Sequence, residues 1–226
     1  MAKSDEEWVG KRLANGRYNV KAKLGEGGMG FVLHAHDEKL NTDVVIKAPH
    51  RHLLRESDFA ERFSREVRSL VKLSHPHIVK ITDVDEDDGM PLAVMQHLGG
   101  GSLQDRREAN PAEFVKAVRS PSAFNWLLNI ADALDFVHRQ GYVHRDVKPA
   151  NILFDDHGNS YLSDFGVAKV LSDASSREHS AALTGTGLVV GTPEYMAPEL
   201  VLGEAFDGRA DQYALAIAVF EDLEGQ

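Results

Sequence analysis

The sequence predicts an α+β fold with two lobes, a small β-rich lobe followed by a mainly helical one. Three observations support this prediction. Runs of β-branched and aromatic residues dominate the first part of the chain, three consecutive glycines follow at residues 99–101, and apolar residues then recur at helical spacing. A chain of 226 residues is long enough for two lobes that each bury a core.

The first lobe is expected to contain strands from residue 18 to about residue 48. "FVLHAH" and "DVVIKA" have strand composition, and Asn41-Thr42-Asp43 supplies a turn between them. A helix is predicted from about Asp58 to Leu73, with Ser57 or Asp58 as its cap. Two further strands, "IVKITDV" and "LAVMQ", are joined by the acidic turn "DEDDG". The helix is indicated by apolar residues at three- and four-residue steps: Phe59, Phe63, Val67, Leu70 and Val71.

The glycines of "LGGGS" at 98–102 loosen the chain and are predicted to form a hinge. A long amphipathic helix comes later and ends at Gly141, followed by the short strands "ILF" and "YLS". A polar segment covers residues 172–187, and an apolar helix is expected from about Ala210 to Leu223. The apolar stripe of the long helix consists of Phe124, Leu127, Leu128, Ala131, Leu134 and Val137.

Composition excludes several classes of function. A net charge of −10 argues against binding to a nucleic-acid backbone. The absence of cysteine excludes disulfides and cysteine-ligated metals, and it permits a cytoplasmic location, which we expect. The N-terminus carries no apolar signal segment, and the longest apolar run, "YALAIAVF", is too short to span a bilayer.

Gly25, Gly27 and Gly30 form a G-x-G-x-x-G pattern, which has several interpretations. A dinucleotide fingerprint requires a helix directly after the glycines, but "FVLHAH" favours a strand. No Gly-Lys-Ser/Thr ends the pattern, so it is not a Walker A loop. A strand–turn–strand flap that approaches phosphates and a simple hairpin turn both remain open.

Lys47 ends the apolar run "VVIK" and therefore needs an anion if it points inward. Glu66 lies three residues after Phe63 and four before Leu70, which places it in the apolar stripe of its helix. A Lys47–Glu66 pair satisfies both charges. These two residues alone do not distinguish a functional pair from a structural salt bridge.

Six motifs in order then resemble one family. They are G-x-G-x-x-G-x-V at 25–32, V-V-I-K at 44–47, Glu66, H-R-D-V-K-P-A-N at 144–151, D-F-G at 164–166 and A-P-E at 197–199. The set is similar to the eukaryotic-like protein kinases, and "GGMG", "HRDVKPANIL" and "GTPEYMAPE" resemble the bacterial Ser/Thr branch. The resemblance implies an N-terminal extension at 1–17 and a kinase domain at 18–226. The domain is divided into an N-lobe at about 18–97, a hinge at about 96–101 and a partial C-lobe at about 102–226.

The resemblance implies roles for the polar residues. Asp146 would accept the proton of the substrate hydroxyl, and Lys148 would contact the transferring phosphate. Asn151 and Asp164 would bind Mg²⁺, whose preferred ligands are oxygen atoms. Lys47, held by Glu66, would bind the α- and β-phosphates of ATP. The remaining nucleotide-binding positions implied by the family are Leu24, Gly25, Gly27, Gly30, Val32, Val45, Met95, Gln96, Leu98 and Leu153.

The family usually has alanine where Val45 stands, and the two extra methyl groups would press against the adenine. Arg145 precedes the catalytic Asp and would bind a phosphate on the following loop. Thr184 and Thr186 in "LTGTG" are the predicted phosphorylation sites.

Protein substrates are therefore the expected partners. A small-molecule phosphotransferase of related fold is disfavoured by D-F-G and "GTPEYMAPE". The chain stops about one helix after A-P-E, where the family continues, so the sequence also allows a shortened, inactive kinase-like form or a scaffold. Because "YALAIAVF" is apolar on every side, part of its helix should be uncovered and should promote self-association.

Overall fold

The computed structural model describes residues 8–27, 30–55, 59–109, 125–164 and 193–224. The chain separates into two compact units. The first contains residues 1–72 and 80–97, and the second contains residues 73–79 and 98–226. The first is a sheet with one long helix and the second is mainly helical, which confirms the predicted α+β class.

The first unit is built on a six-stranded antiparallel sheet with the strand order β1-β2-β3-β4-β6-β5. Helix α1, Phe59–Leu70, packs on β5 and β6 through Phe59, Phe63 and Val67. Alternation along the strands buries one face in a core that includes Leu33, Ile46 and Leu92. The strands are β1 Arg12–Leu13, β2 Tyr18–Gly27, β3 Gly30–Asp37, β4 Thr42–Pro49, β5 Ile81–Asp87 and β6 Met90–Gln96.

Two predicted turns are shorter than expected. Thr42 and Asp43 belong to β4, because Asp43 accepts bonds from His36 across the ladder and from Lys21. The segment "DED" belongs to β5 rather than to a turn, and only Asp88 and Gly89 reverse the chain with positive φ. Sequence reasoning treated acidic residues as turn formers, but here they accept bonds within the sheet.

Arg17 organises the acidic residues of this sheet. Its guanidinium donates to Asp37 at 2.9 Å and to Asp83 at 2.6 Å, and it lies 3.3 Å from Asp85. Asp37 is 1% exposed. Burial alone would raise the pKa of Asp37, but hydrogen bonds from Arg17 and from the Leu40 and Lys39 amides hold that pKa below its usual value.

The second unit has four helices among its described residues. Helix α3, Asn125–Arg139, packs on strand β8, Ser160–Leu162, and its buried side chains include Ile130, Leu134 and Val137. Gly141 follows α3 with φ +79°, as the sequence predicted. The elements are α2 Leu103–Ala109, α3 Asn125–Arg139, β7 Ile152–Phe154, β8 Ser160–Leu162, α4 Pro198–Leu202 and α5 Arg209–Glu224.

The buried stripe of α3 differs from the predicted one. Trp126, Ile130 and Ala133 are buried, whereas Leu128 is 68% exposed. The predicted stripe was rotated about the helix axis relative to the buried one. This helix has so many apolar residues that three- and four-residue steps fit more than one stripe.

The glycines at 99–101 are held closely in the second unit. The Gly100 amide donates to the Phe154 carbonyl at 2.9 Å, and the Phe154 amide donates to Gly101 at 2.8 Å. A Cβ on Gly100 would lie 2.3 Å from the Asp155 carbonyl oxygen. Glycine is therefore required here for a close backbone approach, in addition to any hinge role.

Helix α5 carries both buried and exposed apolar side chains. Ala214, Leu215 and Ala218 are buried, whereas Phe220 and Leu223 are more than half exposed. Self-association through this exposed side stays a prediction. Across the described ranges, the structure contains no helix with the length and apolar character needed to cross a membrane.

Replacing Arg17 with Met should reduce the free energy of unfolding by about 3 kcal/mol, because it leaves the buried Asp37 carboxylate without its cation. Since the native pKa of Asp37 is depressed, its contribution is present above the unfolded pKa and is lost as pH falls through the native value. Urea unfolding at neutral pH measures the effect. Arg12→Met is the matched control, because Arg12 and Glu38 form an exposed pair at 3.8 Å. Equal stability of the two variants would contradict this role of Arg17.

Candidate active site

The glycine flap is the end of the β2–β3 hairpin, defined here as Gly25–Gly27 and Gly30–Phe31. Gly27 and Gly30 form its last backbone pair. At Gly30, φ is +154° and a Cβ would lie 2.1 Å from the Ala48 carbonyl oxygen, so packing demands glycine. At Gly25 and Gly27, an added Cβ would meet no atom of the described ranges within 4 Å. The fold of the chain therefore does not explain these two glycines.

One face of the first sheet carries four of the predicted nucleotide-binding residues. Val32 pairs directly with Lys47, and Val45 pairs directly with Met95. Lys47 and Val45 are two residues apart on β4, so all four side chains leave the sheet on the same side. This face is opposite the core, which receives Val44, Ile46 and Ala48.

Other predicted nucleotide-binding residues differ in exposure. Leu24 is 54% exposed, Met95 is buried, and Gln96 is half-buried at the end of β6. Leu98 and Leu153 are half-buried in the second unit, where Leu153 forms a bridge with Ser102.

Glu66 lies on α1 with a side chain that is 38% exposed and 3.9 Å from the Arg65 guanidinium. It flanks the buried stripe of Phe63, Val67 and Leu70 rather than lying fully within it. The free-energy cost of desolvating the Glu66 carboxylate is therefore smaller than the sequence implied. The Lys47–Glu66 pair stays a prediction.

The loop from His144 to Asn151 brings Asp146, Lys148 and Asn151 together. Lys148 Nζ lies 2.9 Å from Asp146 Oδ2. Asn151 Nδ2 donates to the same Oδ2 at 2.9 Å and to the Asp146 carbonyl at 2.7 Å. A short 3₁₀ turn, Pro149–Asn151, produces this contact by folding the chain back after Lys148. Two donors therefore meet one carboxylate oxygen.

Asn151 and Asp164 lie at the same end of the β7–β8 hairpin. Ile152 pairs with Leu162, and the Ser163 amide and hydroxyl both donate to the Asn151 carbonyl. Asp164 follows with φ +63°, an unusual conformation for a residue other than glycine. The two predicted magnesium ligands are thus placed by one short hairpin.

His144 is buried and anchors the loop through its ring. It is 1% exposed, and its Nε2 donates to the Ser163 carbonyl at 2.9 Å. His75 and His77 also have protein partners, since His75 Nε2 is 3.2 Å from Asp132 and His77 Nδ1 donates to the Ser160 carbonyl.

Asp211 is a residue of this site that sequence reasoning missed. It is 1% exposed at the start of α5 and accepts the His144 amide at Oδ2 and the Arg145 amide at Oδ1, both at 2.8 Å. His138 Nε2 donates to Oδ2 at 2.7 Å. Gly208 lies against His138, and a Cβ there would be 2.5 Å from Nδ1. The sequence feature that could have identified Asp211 is a carboxylate at the start of an apolar helix.

Arg145 connects this anchor to the predicted phosphate site. Its φ is +70°, which an ordinary side chain rarely adopts, and the Asp211 carboxylate holds its amide. Its guanidinium lies 4.6 Å from the centre of the Phe206 ring, and its Nε is buried with no hydrogen-bond partner among the described residues. Thr184, Thr186, Phe165 and Gly166 lie outside the described residues.

A small cavity beside Asp146 separates the loop from the A-P-E segment. Val147, Met196, Leu200 and Ala214 provide its apolar lining. Tyr195 also lines it, and its hydroxyl donates to Glu221 at 2.6 Å. Burial, followed by this bond, raises the pKa of Tyr195 to about 12, so the hydroxyl remains a donor at neutral pH.

Comparison with known proteins identifies the family to which this chain belongs. The model of the protein kinase domain matches residues 18–226. The serine/threonine-protein kinase PksC of Streptomyces coelicolor is 38% identical over 97% of this chain and 39% of its own length. PrkC of Bacillus subtilis is 37% identical over 96% of the chain and 32% of its own length. The chain thus spans about a third of the curated relatives it matches.

The fold comparison agrees with the sequence comparison. The crystal structure of the Mycobacterium tuberculosis PknI kinase domain matches with a TM-score of 0.66 and 28% identity. The match covers 96% of this chain and 78% of that one. This similarity supports the two-lobed fold that the motifs implied.

Replacing Asp211 with Asn should lower the free energy of unfolding by about 1–3 kcal/mol. The Asn amide NH₂ group would face one of the three donors that the carboxylate now accepts, leaving a buried donor unsatisfied. Urea unfolding checks the change, with Asp207→Asn as the exposed control near the same histidine. If both variants unfold at the same urea concentration, Asp211 is not the anchor of the loop.

Proposed function

Because the chain belongs to the protein kinase family, we propose that it transfers the γ-phosphate of ATP to serine or threonine hydroxyls of proteins in an Mg²⁺-dependent reaction. The observation that carries the proposal is the convergence of Lys148 and Asn151 on Asp146 Oδ2. Since the chain covers about a third of its curated relatives, the activity and substrates of the whole protein are part of the proposal.

Asp146 is the proposed acceptor of the substrate proton. Lys148 and Asn151 both bind Oδ2 and so fix the plane of the carboxylate, and we assign Oδ1 to the incoming hydroxyl. Lys148 also brings a positive charge to within 2.9 Å of this oxygen. The same charge would stabilise the transferring phosphate, where negative charge is concentrated.

Asn151 and Asp164 are the proposed ligands of the metal. Because Asn151 Nδ2 is turned toward Asp146, the amide oxygen faces away from that residue. Asn151 and Asp164 are residues at the same end of the hairpin, which supports the proposal, and their side-chain oxygens are ligands that suit Mg²⁺. When bound, Mg²⁺ would neutralise phosphate charge and bridge phosphate oxygens.

The first sheet is the proposed nucleotide-binding surface. The open space at Gly25 and Gly27 supports this role, because the phosphates could approach a backbone that has no side chains. Lys47 would bind the phosphates while Val32 and Val45, on the same face, contact the adenine. Leu24, Met95 and the backbone of Gln96 are the other proposed adenine contacts in this unit. Leu98 and Leu153, which belong to the second unit, stay predictions from the family resemblance.

Activation by phosphorylation of the 172–192 segment is also part of the proposal. The buried Nε of Arg145, which has no hydrogen-bond partner in the described part of the chain, supports it, because a phosphate provides strong acceptor oxygens for a guanidinium. Thr184 and Thr186 are the proposed acceptors. A cytoplasmic location stays a prediction.

Asp146→Asn should lower the rate of phosphate transfer by about 10²–10⁴-fold, because an amide cannot accept the substrate proton. Transfer of radiolabelled phosphate from Mg-ATP to a generic protein substrate measures the rate. Asp156→Asn is the matched control, since it makes the same change at an exposed position of the same unit. Wild-type activity in the Asp146 variant would contradict the assigned role.

Incubation of the chain with Mg-ATP should place phosphate on Thr184 and Thr186. The charge-assisted bonds to Arg145 would then increase activity. Mass spectrometry locates the phosphate, and the Asp146→Asn chain tests whether the protein labels itself. Phosphate found only outside residues 172–192 would be evidence against this mechanism, and a Thr184→Ala, Thr186→Ala double variant with unchanged activity would exclude it.

A further inference from the structure

An aromatic side chain supports the glycine flap from the side opposite Val32. Phe31 is one residue before Val32 on β3, so the two side chains leave the strand on opposite faces. Phe31 packs against the core of the first unit, and its ring lies 5.0 Å from that of Trp8 at an angle of 50°. This distance is typical of a favourable aromatic pair.

His50 contacts both strands of the flap. Its Nε2 lies 2.8 Å from the Gly27 carbonyl oxygen, and its ring meets Phe31 edge-on with centroids 4.7 Å apart. A carbonyl oxygen can only accept a hydrogen bond, so Nε2 carries the proton. His50 follows β4 directly, and its backbone is therefore fixed by the sheet. One side chain thus connects Gly27 on β2 with Phe31 on β3.

Trp8 lies in a segment that precedes the matched kinase domain and is itself well held. Its ring is 8% exposed, and Lys11 Nζ lies 4.6 Å from the ring centre. The Lys11 amide donates to the Trp8 carbonyl, and Gly10 and Lys11 exchange backbone bonds with Val20 on β2. The segment before residue 18 therefore reaches the flap as an ordered part of the first unit.

We propose that Trp8, Phe31 and His50 form an aromatic clamp that positions the glycine flap and thereby sets the affinity for the nucleotide. The inference rests on the proposed function, which places the phosphates of ATP beneath Gly25 and Gly27. No described atom lies within 4 Å of a Cβ built on either glycine, and glycine loses much conformational freedom when it is ordered. A flap already held at Gly27 and Phe31 loses less freedom on binding, so the nucleotide binds more tightly.

The bond from His50 is suited to this role rather than to global stability. It lies in an exposed setting, where a hydrogen bond competes with water and adds little to the free energy of unfolding. This hydrogen bond nevertheless restrains Gly27 directly, because Gly27 belongs to the last backbone pair of the flap. The three residues are positioning residues, because they lie on the face away from the proposed nucleotide.

Isothermal titration of the 226-residue chain with Mg-ATP tests the clamp without requiring turnover. His50→Leu removes the donor and should weaken ATP binding about fivefold. His50→Gln keeps an N–H donor and should restore most of the affinity. His52→Leu is the matched control, because the His52 ring stacks on His50 at 5.3 Å from a neighbouring exposed position. Its ATP affinity should equal that of the wild type.

Steady-state kinetics provide a second measurement. Phe31→Leu and His50→Leu should raise the KM for ATP while leaving kcat at saturating ATP within about twofold, as expected when binding alone is weakened. Circular dichroism establishes that the variants are folded. A folded His50→Leu chain with wild-type ATP affinity overturns the clamp, as does a Gln variant no better than the Leu variant.

The same experiments separate this inference from the proposed function. A wild-type chain that binds ATP but transfers no phosphate contradicts the kinase assignment, while the affinity series still decides the clamp. A wild-type chain that does not bind ATP overturns both.

Discussion

The buried carboxylate of Asp211 is the constraint on which the second unit depends. It accepts the amides of His144 and Arg145 and so fixes two consecutive residues of a loop that has no regular secondary structure. Arg145 is held with a positive φ as a result, and Asp146 follows in a defined direction. The local conformation is costly for a residue with a side chain, and the hydrogen bonds to a buried charge offset that cost. The position of the proposed catalytic carboxylate thus depends on a helix that begins more than sixty residues later.

A second level of support surrounds this anchor. His138 donates to the same Asp211 oxygen, and His144 donates from its own ring to Ser163. Ser163 in turn binds the Asn151 carbonyl, which connects the loop to the hairpin that ends at Asp164. Each proposed chemical group is therefore held by a neighbour that performs no chemistry itself. Such an arrangement suits phosphoryl transfer, where positioning and charge neutralisation account for most of the catalysis.

The sequence predicted the order and type of most elements because β-branched runs and helical periodicity reflect local burial. It also identified the family, because six motifs with fixed spacing are far more specific than any one of them. It failed where long-range contacts decide the outcome. Asp85 was assigned to a turn, yet it lies in a strand beside the Arg17 guanidinium. Leu128 was assigned to the core, yet only packing against β8 determines which of several apolar stripes of α3 is buried. Asp211 was missed because its partners are more than sixty residues away in the sequence.

The glycines show how structure can separate folding from function at single positions. Gly30, Gly100 and Gly208 each have a neighbouring atom within 2.5 Å of a built Cβ, so packing alone requires the absence of a side chain. Gly25 and Gly27 have open space instead, and an alanine Cβ at either position would meet no atom of the described residues within 4 Å. Glycine also carries a larger entropic cost of ordering than alanine, so the fold would favour the substitution. The proposed approach of ATP phosphates to the backbone would account for glycine at both positions. The motif alone leaves such a flap and a simple hairpin turn both open, and the space around each glycine supports the proposed flap.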